Sequence, residues 1–157
     1  MLIRAATPDD AARVSEMTAE VSDHEGSPQP SFDTEVFLNF GFGADRAFEC
    51  FVAEVSESVV GHVSITWGFD VQDGCKSVWV ADLFVDAKHR KKGIGRALMA
   101  HVCRQALSHD AGHVQFMVAP TNLEAAEFYA AIGSKRDRGI PMFLPPTAIG
   151  TIAEQGL

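Results

Sequence analysis

The segment from Ser77 to Leu107 constrains the fold of this chain more than any other. An apolar run, Val78–Val85, leads into a basic turn with two glycines, Arg90–Arg96, and then into a segment with the periodicity of an amphipathic helix. Glycines let a backbone approach phosphate oxygens closely, and the first turn of a helix offers N–H groups together with the positive end of the helix dipole. The pattern therefore predicts a strand, a phosphate-binding turn and a helix in succession.

The spacing within this turn narrows the kind of phosphate site. Residues 90–95 follow the pattern Arg-x-x-Gly-x-Gly. A dinucleotide-binding fingerprint would need a third small residue where Leu98 stands, and a Walker loop would need a Gly-Lys-Ser or Gly-Lys-Thr ending that the chain lacks. Taken alone, the turn is also compatible with an ordinary solvated helix N-terminus.

Length and composition are those of a single domain, which we expect to span residues 1–157. The sequence has no apolar run long enough to cross a membrane and no signal-peptide pattern, so we expect a cytoplasmic protein with no membrane partner. The formal net charge of −8 argues against nucleic acid as a partner, although many of the thirteen Lys and Arg residues lie between Lys76 and Arg104. Three cysteines and six histidines without metal-ligand spacing predict reduced thiols and no metal.

Hydrophobic periodicity predicts a meander of three antiparallel strands before the turn and a further strand after its helix. Strand, helix and strand in succession form a right-handed crossover, so strands 76–85 and 113–119 should be parallel neighbours. Thr7 and Ser31 are the expected caps of two preceding helices. The expected elements are a strand at 2–6, helices at 8–23 and 32–40, strands at 48–55, 59–69 and 76–85, a helix at 94–109, a strand at 113–119, a helix at 121–132, and one or two edge strands within 134–150 before a frayed end.

A second motif follows the basic turn. Residues 122–129 have the pattern Asn-x-x-Ala-x-x-Phe-Tyr, with Gly133 downstream. Singly, Asn122 would be a helix cap and Tyr129, the only tyrosine of the chain, a core ring with a satisfied hydroxyl. With both motifs present in order, the chain from Val52 to Phe143 resembles the GCN5-related N-acetyltransferase (GNAT) superfamily.

The resemblance implies a fold of the α/β class: an α+β arrangement with a mostly antiparallel sheet of six or seven strands, a splayed central parallel pair and four helices. It implies acetyl-CoA as co-substrate, with the pantetheine arm between strands 76–85 and 113–119. It also implies that Tyr129 protonates the departing thiolate. The residues implied in cofactor binding are the main chain of Phe84 and Val85, the turn residues Arg90, Lys91, Lys92, Gly93, Ile94, Gly95 and Arg96, and Asn122.

Acyl transfer from a thioester to an amine needs a deprotonated nucleophile, an oxyanion donor and a proton for the leaving sulfur. A backbone N–H between Leu83 and Val85 can serve as the oxyanion donor. Asp82 is a carboxylate in an apolar strand, so it needs either a partner or a function, as an amine anchor or a water-mediated base. Residues 79–85 are similar to the diamine and thialysine acetyltransferase branch, which commonly carries Glu-Asp where this chain has Ala81-Asp82.

The predicted acceptor is a small cationic or amino-acid-like primary amine, attacked directly in a ternary complex. Asp82, His24 and Glu25 are candidate substrate-binding residues, with a solvated loop as the alternative for the last two. Two other functions stay open: acetylation of a protein N-terminus or lysine, and a non-catalytic acyl-CoA-binding module. The missing acid at Ala81 favours the module, whereas Asn122 and Tyr129 favour the enzyme. The resemblance also implies a homodimer.

Overall fold

The computed structural model describes residues 1–26, 28–136, 139, 142 and 144–155. Contacts divide the chain into two compact units, residues 1–126 and residues 127–157. The single domain expected from the length therefore stays a prediction. Within the described ranges, no helix combines the length and the apolarity needed to cross a membrane.

A five-stranded sheet forms the first unit together with its helices. Its strand order is β1-β2-β3-β4-β5, and all neighbours are antiparallel except the parallel pair β4 and β5. The predicted meander and the predicted parallel pair are thus confirmed. The elements are β1 (Leu2–Ala5), a 3-10 turn (Pro8–Asp10), α1 (Ala11–Glu25), α2 (Thr34–Gly41), β2 (Glu49–Val55), β3 (Ser58–Asp70), β4 (Cys75–Val85), a second 3-10 turn (Ala87–His89), α3 (Ile94–Ser108), β5 (Ala111–Phe116), α4 (Leu123–Ala131) and α5 (Pro146–Gln155).

An ion pair fixes the entry of the chain into α1. Both carboxylate oxygens of Asp10 accept hydrogen bonds from the Arg4 guanidinium, at 2.7 and 3.0 Å, and the backbone N–H of Thr7 donates to the same carboxylate at 2.7 Å. Burial opposes ionisation of Asp10, but the bonds from Arg4 and Thr7 outweigh it and hold the pKa of this carboxyl below its usual range. The carboxylate therefore joins β1 to the start of the first helix.

The second helix begins later than expected. Asp33, in extended conformation, is its N-cap, and the carboxylate accepts a hydrogen bond from the Val36 N–H at 2.9 Å. The prediction of Ser31 as the cap is wrong, because Asp33 has the same capping ability and stands two residues closer to the first helical turn.

Helices α1 and α2 cover one face of the sheet. Val14, Met17 and Phe37 are fully buried and pack with Val52 of β2 and Phe84 of β4 in one hydrophobic cluster. Helix α3 packs on the sheet as well and buries its own apolar stripe, Leu98, Met99, Val102 and Ala106. The amphipathic pattern of the sequence predicts this stripe correctly, but it also predicts Cys103 as part of it, and Cys103 is exposed.

Strands β4 and β5 separate before β4 ends. They pair only from Lys76 to Val80 of β4, where Val80 is in register with Phe116, the last residue of β5. Strand β4 continues to Val85 without a partner from β5. The splayed parallel pair is therefore present, with its open end at residues 81–85.

The C-terminal prediction needs a correction. Among the described residues the sheet has five strands rather than six or seven, and residues 146–155 form helix α5 where an edge strand and a frayed end were expected. Pro146 is the first residue of α5, a position that proline favours because its missing N–H has no helical partner there in any case. Residues 137, 138, 140, 141 and 143, where the rest of the predicted edge strands falls, lie outside the described residues.

Candidate active site

The basic turn has the backbone conformation of an anion-binding loop. Lys91 and Gly93 both have positive φ, 60° and 84°, and Gly93 is the N-cap of α3 without any side-chain cap. A Cβ built at Gly93 meets no atom within 4 Å, so open space adjoins the start of the helix. The first-turn N–H groups of Ile94 and Gly95 have no carbonyl of their own helix to bind. These donors and the positive helix dipole therefore meet at an open surface.

Arg90 fastens this turn to β4 and α4. Its Nε donates to the carbonyl of Val85 at 3.1 Å, its guanidinium carbon lies 5.9 Å from the centre of the Phe84 ring, and its Nη1 lies 3.6 Å from a carboxylate oxygen of Glu124. Lys91, which is largely exposed, reaches the same carboxylate only at 4.0 Å. Arg90 thus has a structural role in holding the turn, beyond the role in cofactor binding expected of it.

The register of β3 and β4 decides which main-chain groups face the open end of β4. The Asp86 N–H donates to the Val60 carbonyl at 2.9 Å, so alternate residues of β4, including Phe84, turn their N–H and C=O groups toward β3. Leu83 and Val85 turn theirs to the opposite edge, where β5 no longer pairs. This orientation disagrees with main-chain pairing between Phe84 and a cofactor, whereas Leu83 and Val85 face the edge where such pairing has room. The cofactor-binding role of Val85 stays a prediction.

A bulge at Ala81 decides which face of the sheet Asp82 occupies. Ser64 and Ile65 are consecutive on β3 and point to opposite faces, yet they are in register with Asp82 and Val80, which are two residues apart. The extra residue, Ala81, therefore separates Val80 from Asp82. Without the bulge the two side chains would share a face.

On its face of the sheet Asp82 adjoins β3 and α1. Its Oδ2 lies 3.0 Å from Nε2 of His62 and 3.3 Å from the Thr18 hydroxyl. His62 is fully buried, whereas 22% of the Asp82 side chain is exposed. The partner predicted for the Asp82 carboxylate is thus His62. From the sequence, His62 was predicted only to lie in a strand. A histidine within the mostly apolar segment 59–65 was the one sign of a special role. Its contact with Asp82 could not be predicted, because it depends on the β3–β4 register and on the bulge at Ala81.

The second motif spans the boundary between the two units. In the first unit, Asn122 caps α4: its side-chain oxygen accepts the Ala125 N–H at 3.0 Å, and its carbonyl accepts the Ala126 N–H. In the second unit, Tyr129 is buried and its ring contacts that of Phe128 edge-on. The cap predicted for Asn122 and the buried ring predicted for Tyr129 are both present, and the roles of the two residues toward a cofactor stay predictions.

The other expected substrate-side residues lie at the end of α1. The helix ends at Glu25 and Gly26 follows in left-handed conformation. His24 and Glu25 are thus in its last turn, and their side chains lie outside what the structure describes.

Cys50 is unsuited to nucleophilic chemistry. It is buried, and burial raises the pKa of its thiol to about 12. A direct transfer without a thiol intermediate agrees with this environment.

A cluster of possible metal ligands lies at the other end of β4. Single ligand atoms of Asp70, Asp73 and His113 lie within 4.8 Å of one another at the β3–β4 turn. Asp70 Oδ1 already accepts the backbone N–H groups of Gln72 and Asp73, at 2.8 and 3.1 Å. The geometry is that of a turn closed by hydrogen bonds and ion pairs.

Comparison with known proteins gives concordant results. The model of the acetyltransferase (GNAT) family matches residues 14–133. The chain is 24% identical over 144 residues to thialysine N-epsilon-acetyltransferase from Bos taurus, covering 86% of this chain and 84% of that protein, and 28% identical over 142 residues to the Mus musculus protein of the same name, covering 85% and 83%. An integron cassette protein from the mobile metagenome of V. cholerae has the same fold, with a TM-score of 0.80 at 21% identity over 98% of this chain and 97% of that one.

Proposed function

Because the chain belongs to the acetyltransferase (GNAT) family, we propose that it transfers the acetyl group of acetyl-CoA to the primary amine of a small cationic or amino-acid-like molecule, by direct attack in a ternary complex. The observation that carries this proposal is that the exposed helix start at Gly93 and the strand edge at residues 81–85 lie close together along the chain. The start of α3, which has no side-chain cap, is joined by residues 86–93 to the end of β4 that β5 does not pair.

These two features fit the two halves of acetyl-CoA. Residues 91–96 offer N–H groups, lysines and a helix dipole to a pyrophosphate, and the open space at Gly93 leaves room for it. Leu83 and Val85 offer strand hydrogen bonds to the amides of pantetheine, in the manner of an added strand. Asn122 stands at the start of α4, where the resemblance assigns it to the cofactor arm. Acetyl-CoA, when bound, supplies the activated thioester.

Three groups of the chain have proposed roles in acetyl transfer. At the open edge of β4, the main-chain N–H of Leu83 is the proposed donor to the developing oxyanion, and the N–H of Val85 is left for pantetheine. Asp82 is the proposed anchor of the amine or its water-mediated base, and Tyr129 is the proposed acid for the departing thiolate. No covalent bond to the enzyme is formed in this scheme. The amine nitrogen bonds to the acetyl carbon and loses a proton to water or, through water, to Asp82. The carbon–sulfur bond breaks, and the sulfur takes a proton from Tyr129.

Three observations support a cationic acceptor. The chain has a formal net charge of −8, Asp82 retains an accessible carboxylate, and the two mammalian relatives are named for an acceptor that carries amino groups. His24 and Glu25 are proposed to lie on the acceptor side. A homodimer in the cytoplasm is part of the same proposal.

The test combines turnover with binding. The unmodified chain is incubated with acetyl-CoA and a panel of acceptors, namely putrescine, spermidine, lysine, thialysine and a peptide with a free N-terminus and one lysine. Release of thiol and the mass of the product are measured for each. We expect acetylation of the small cationic amines, and preference for the peptide would instead assign a protein acceptor.

Calorimetric titration with acetyl-CoA separates the enzyme from the binding module. An enzyme binds acetyl-CoA and consumes it in the presence of an amine. Binding without thioester consumption for any acceptor would favour the acyl-CoA-binding module, for which the absence of a second carboxylate at Ala81 is the supporting feature. Absence of both binding and turnover would refute the proposed function.

A further inference from the structure

His62 and Asp82 form a pair in which only one member can reach a bound molecule. The His62 side chain is 0% exposed on β3, whereas that of Asp82 is 22% exposed. Nε2 of His62 lies 3.0 Å from Oδ2 of Asp82, and Nδ1 of His62 has no hydrogen-bond partner among the described residues. By hydrogen bonding, this histidine can therefore act on a ligand only through Asp82.

The contacts of Asp82 are confined to one of its two oxygens. With its proton on Nε2, His62 donates to Oδ2, and this hydrogen bond is assisted by the charge of the carboxylate. The Thr18 hydroxyl lies 3.3 Å from the same oxygen, although it also lies 3.1 Å from the Val14 carbonyl and has only one proton to donate. Within the described part of the chain, Oδ1 accepts no hydrogen bond. One oxygen thus fixes the carboxylate and the other stays available.

Packing alone does not account for a histidine at this position. Its neighbours across the ladders are Val52 of β2 and Phe84 of β4, whose ring centre lies 6.4 Å from that of His62. A phenylalanine would fill similar space without burying a nitrogen that has no partner, a state that costs free energy. The imidazole is therefore explained by its bond to Asp82 rather than by its contribution to the core.

We propose that His62 is a positioning residue for the acceptor: it holds the Asp82 carboxylate by Oδ2 so that Oδ1 receives the amino group of a cationic acceptor at the open end of β4. The bulge at Ala81 makes this possible, because it moves Asp82 onto the face that His62 occupies. The inference rests on the proposed function and deepens it, since it assigns recognition of the acceptor to one buried pair.

A double-mutant cycle tests the inference on the intact chain. The variants are His62→Phe, Asp82→Asn and the double variant, with His101→Phe as a matched control, because His101 packs against Phe51 away from Asp82. Kinetic constants are measured for thialysine or for the best acceptor of the panel, and acetyl-CoA affinity is measured by calorimetry. Loss of a hydrogen bond to a charged group predicts that His62→Phe lowers kcat/KM about 10-fold, mainly through the KM of the acceptor.

Three further results follow from positioning through Asp82. The affinity for acetyl-CoA stays unchanged in His62→Phe, kcat/KM of the double variant equals that of Asp82→Asn, and His62→Gln, whose amide can still donate to Oδ2, recovers part of the lost kcat/KM. If His62→Phe fails to fold, His62→Gln and its double variant with Asp82→Asn complete the same cycle.

The outcomes separate this inference from the proposed function. If the unmodified chain turns over but the two substitutions act independently, or if His62→Phe is as active as His101→Phe, the positioning role is refuted and the proposed function stands. If the unmodified chain acetylates no amine, both are refuted.

Discussion

Gly61→Ala probes the close approach of β3 to the open end of β4. A Cβ at Gly61 would lie 2.7 Å from the Phe84 carbonyl oxygen and 3.3 Å from Cγ2 of Val85. Because ordinary van der Waals contact begins at 3.4 Å, the carbonyl must recede by about 0.7 Å. Both contacts belong to the strand end that is proposed to pair with pantetheine, so the substitution displaces the backbone of the site as well as straining the sheet.

The magnitude follows from two opposed terms. Forcing a methyl group into a packed site costs about 1–3 kcal/mol, and replacing glycine within a strand recovers about 0.5–1 kcal/mol of conformational free energy. At the midpoints of these two ranges the net loss of unfolding free energy is about 1.3 kcal/mol, which for a chain of this length lowers Tm by about 3–5 °C. Because Leu83 and Val85 move with the Phe84 carbonyl, we also expect weaker binding of acetyl-CoA.

Gly68→Ala is the matched control, since Gly68 lies in the same β3–β4 ladder. Its Cβ would approach only the Ser77 hydroxyl oxygen, at 3.0 Å, and this group can rotate away. Thermal melts and acetyl-CoA titrations of both variants are compared with the unmodified chain. We expect loss of stability and affinity in Gly61→Ala alone; equal Tm and equal affinity in the two variants would refute the close approach and its link to the cofactor.

Three other predictions concern the turn, the acid and the N-terminal ion pair. Gly93→Val should weaken acetyl-CoA binding at least about 10-fold, because valine is strained at φ 84° and its side chain occupies the open space at the helix start; Gly43→Val, at φ 78° with similar open space, is the control that should bind normally. Tyr129→Phe should lower kcat about 10-fold or more with unchanged acetyl-CoA affinity, and an unaltered kcat would remove its role as the acid. Asp10→Asn should destabilise the chain by about 1–3 kcal/mol near neutral pH, because it breaks the bonds to Arg4. Since the pKa of Asp10 is lowered in the folded state, its stabilisation is present above the pKa of an unfolded aspartate and is lost as the pH falls through the folded value; a Tm difference that persists unchanged in acid would contradict this.

The parts of the fold that were predicted correctly depend on local signals. The strand, turn and helix of residues 75–108 follow from an apolar run, two glycines and a helical period, all within one stretch of chain. The parallel pair follows from the helix between the two strands, since a strand–helix–strand connection returns the chain to the same end of the sheet. The cap of α2 was missed by two residues because Ser31 and Asp33 carry equivalent local signals.

The C-terminal helix was missed for a different reason. Residues 146–155 contain Ile149 and Ile152 together with two threonines, a composition typical of strands, and the segment is too short for a decisive period. The helix start at Pro146 was the one local signal against a strand.

The candidate site also has one part that local sequence signals predict and one part that they do not, and the second part tells more about function. The phosphate-binding turn needs only neighbours in sequence, whereas the contact of His62 with Asp82 needs a strand register and a one-residue bulge. A one-residue change of register moves every following side chain to the other face, so no reading of alternation could place Asp82. His62 breaks the apolar pattern of β3 two residues before Ser64, the residue in register with Asp82 where the bulge at Ala81 begins. A buried histidine or a bulged strand alone lowers stability. Together, His62 and the bulge at Ala81 give the Asp82 carboxylate a fixed orientation, and a functional constraint produces such a combination.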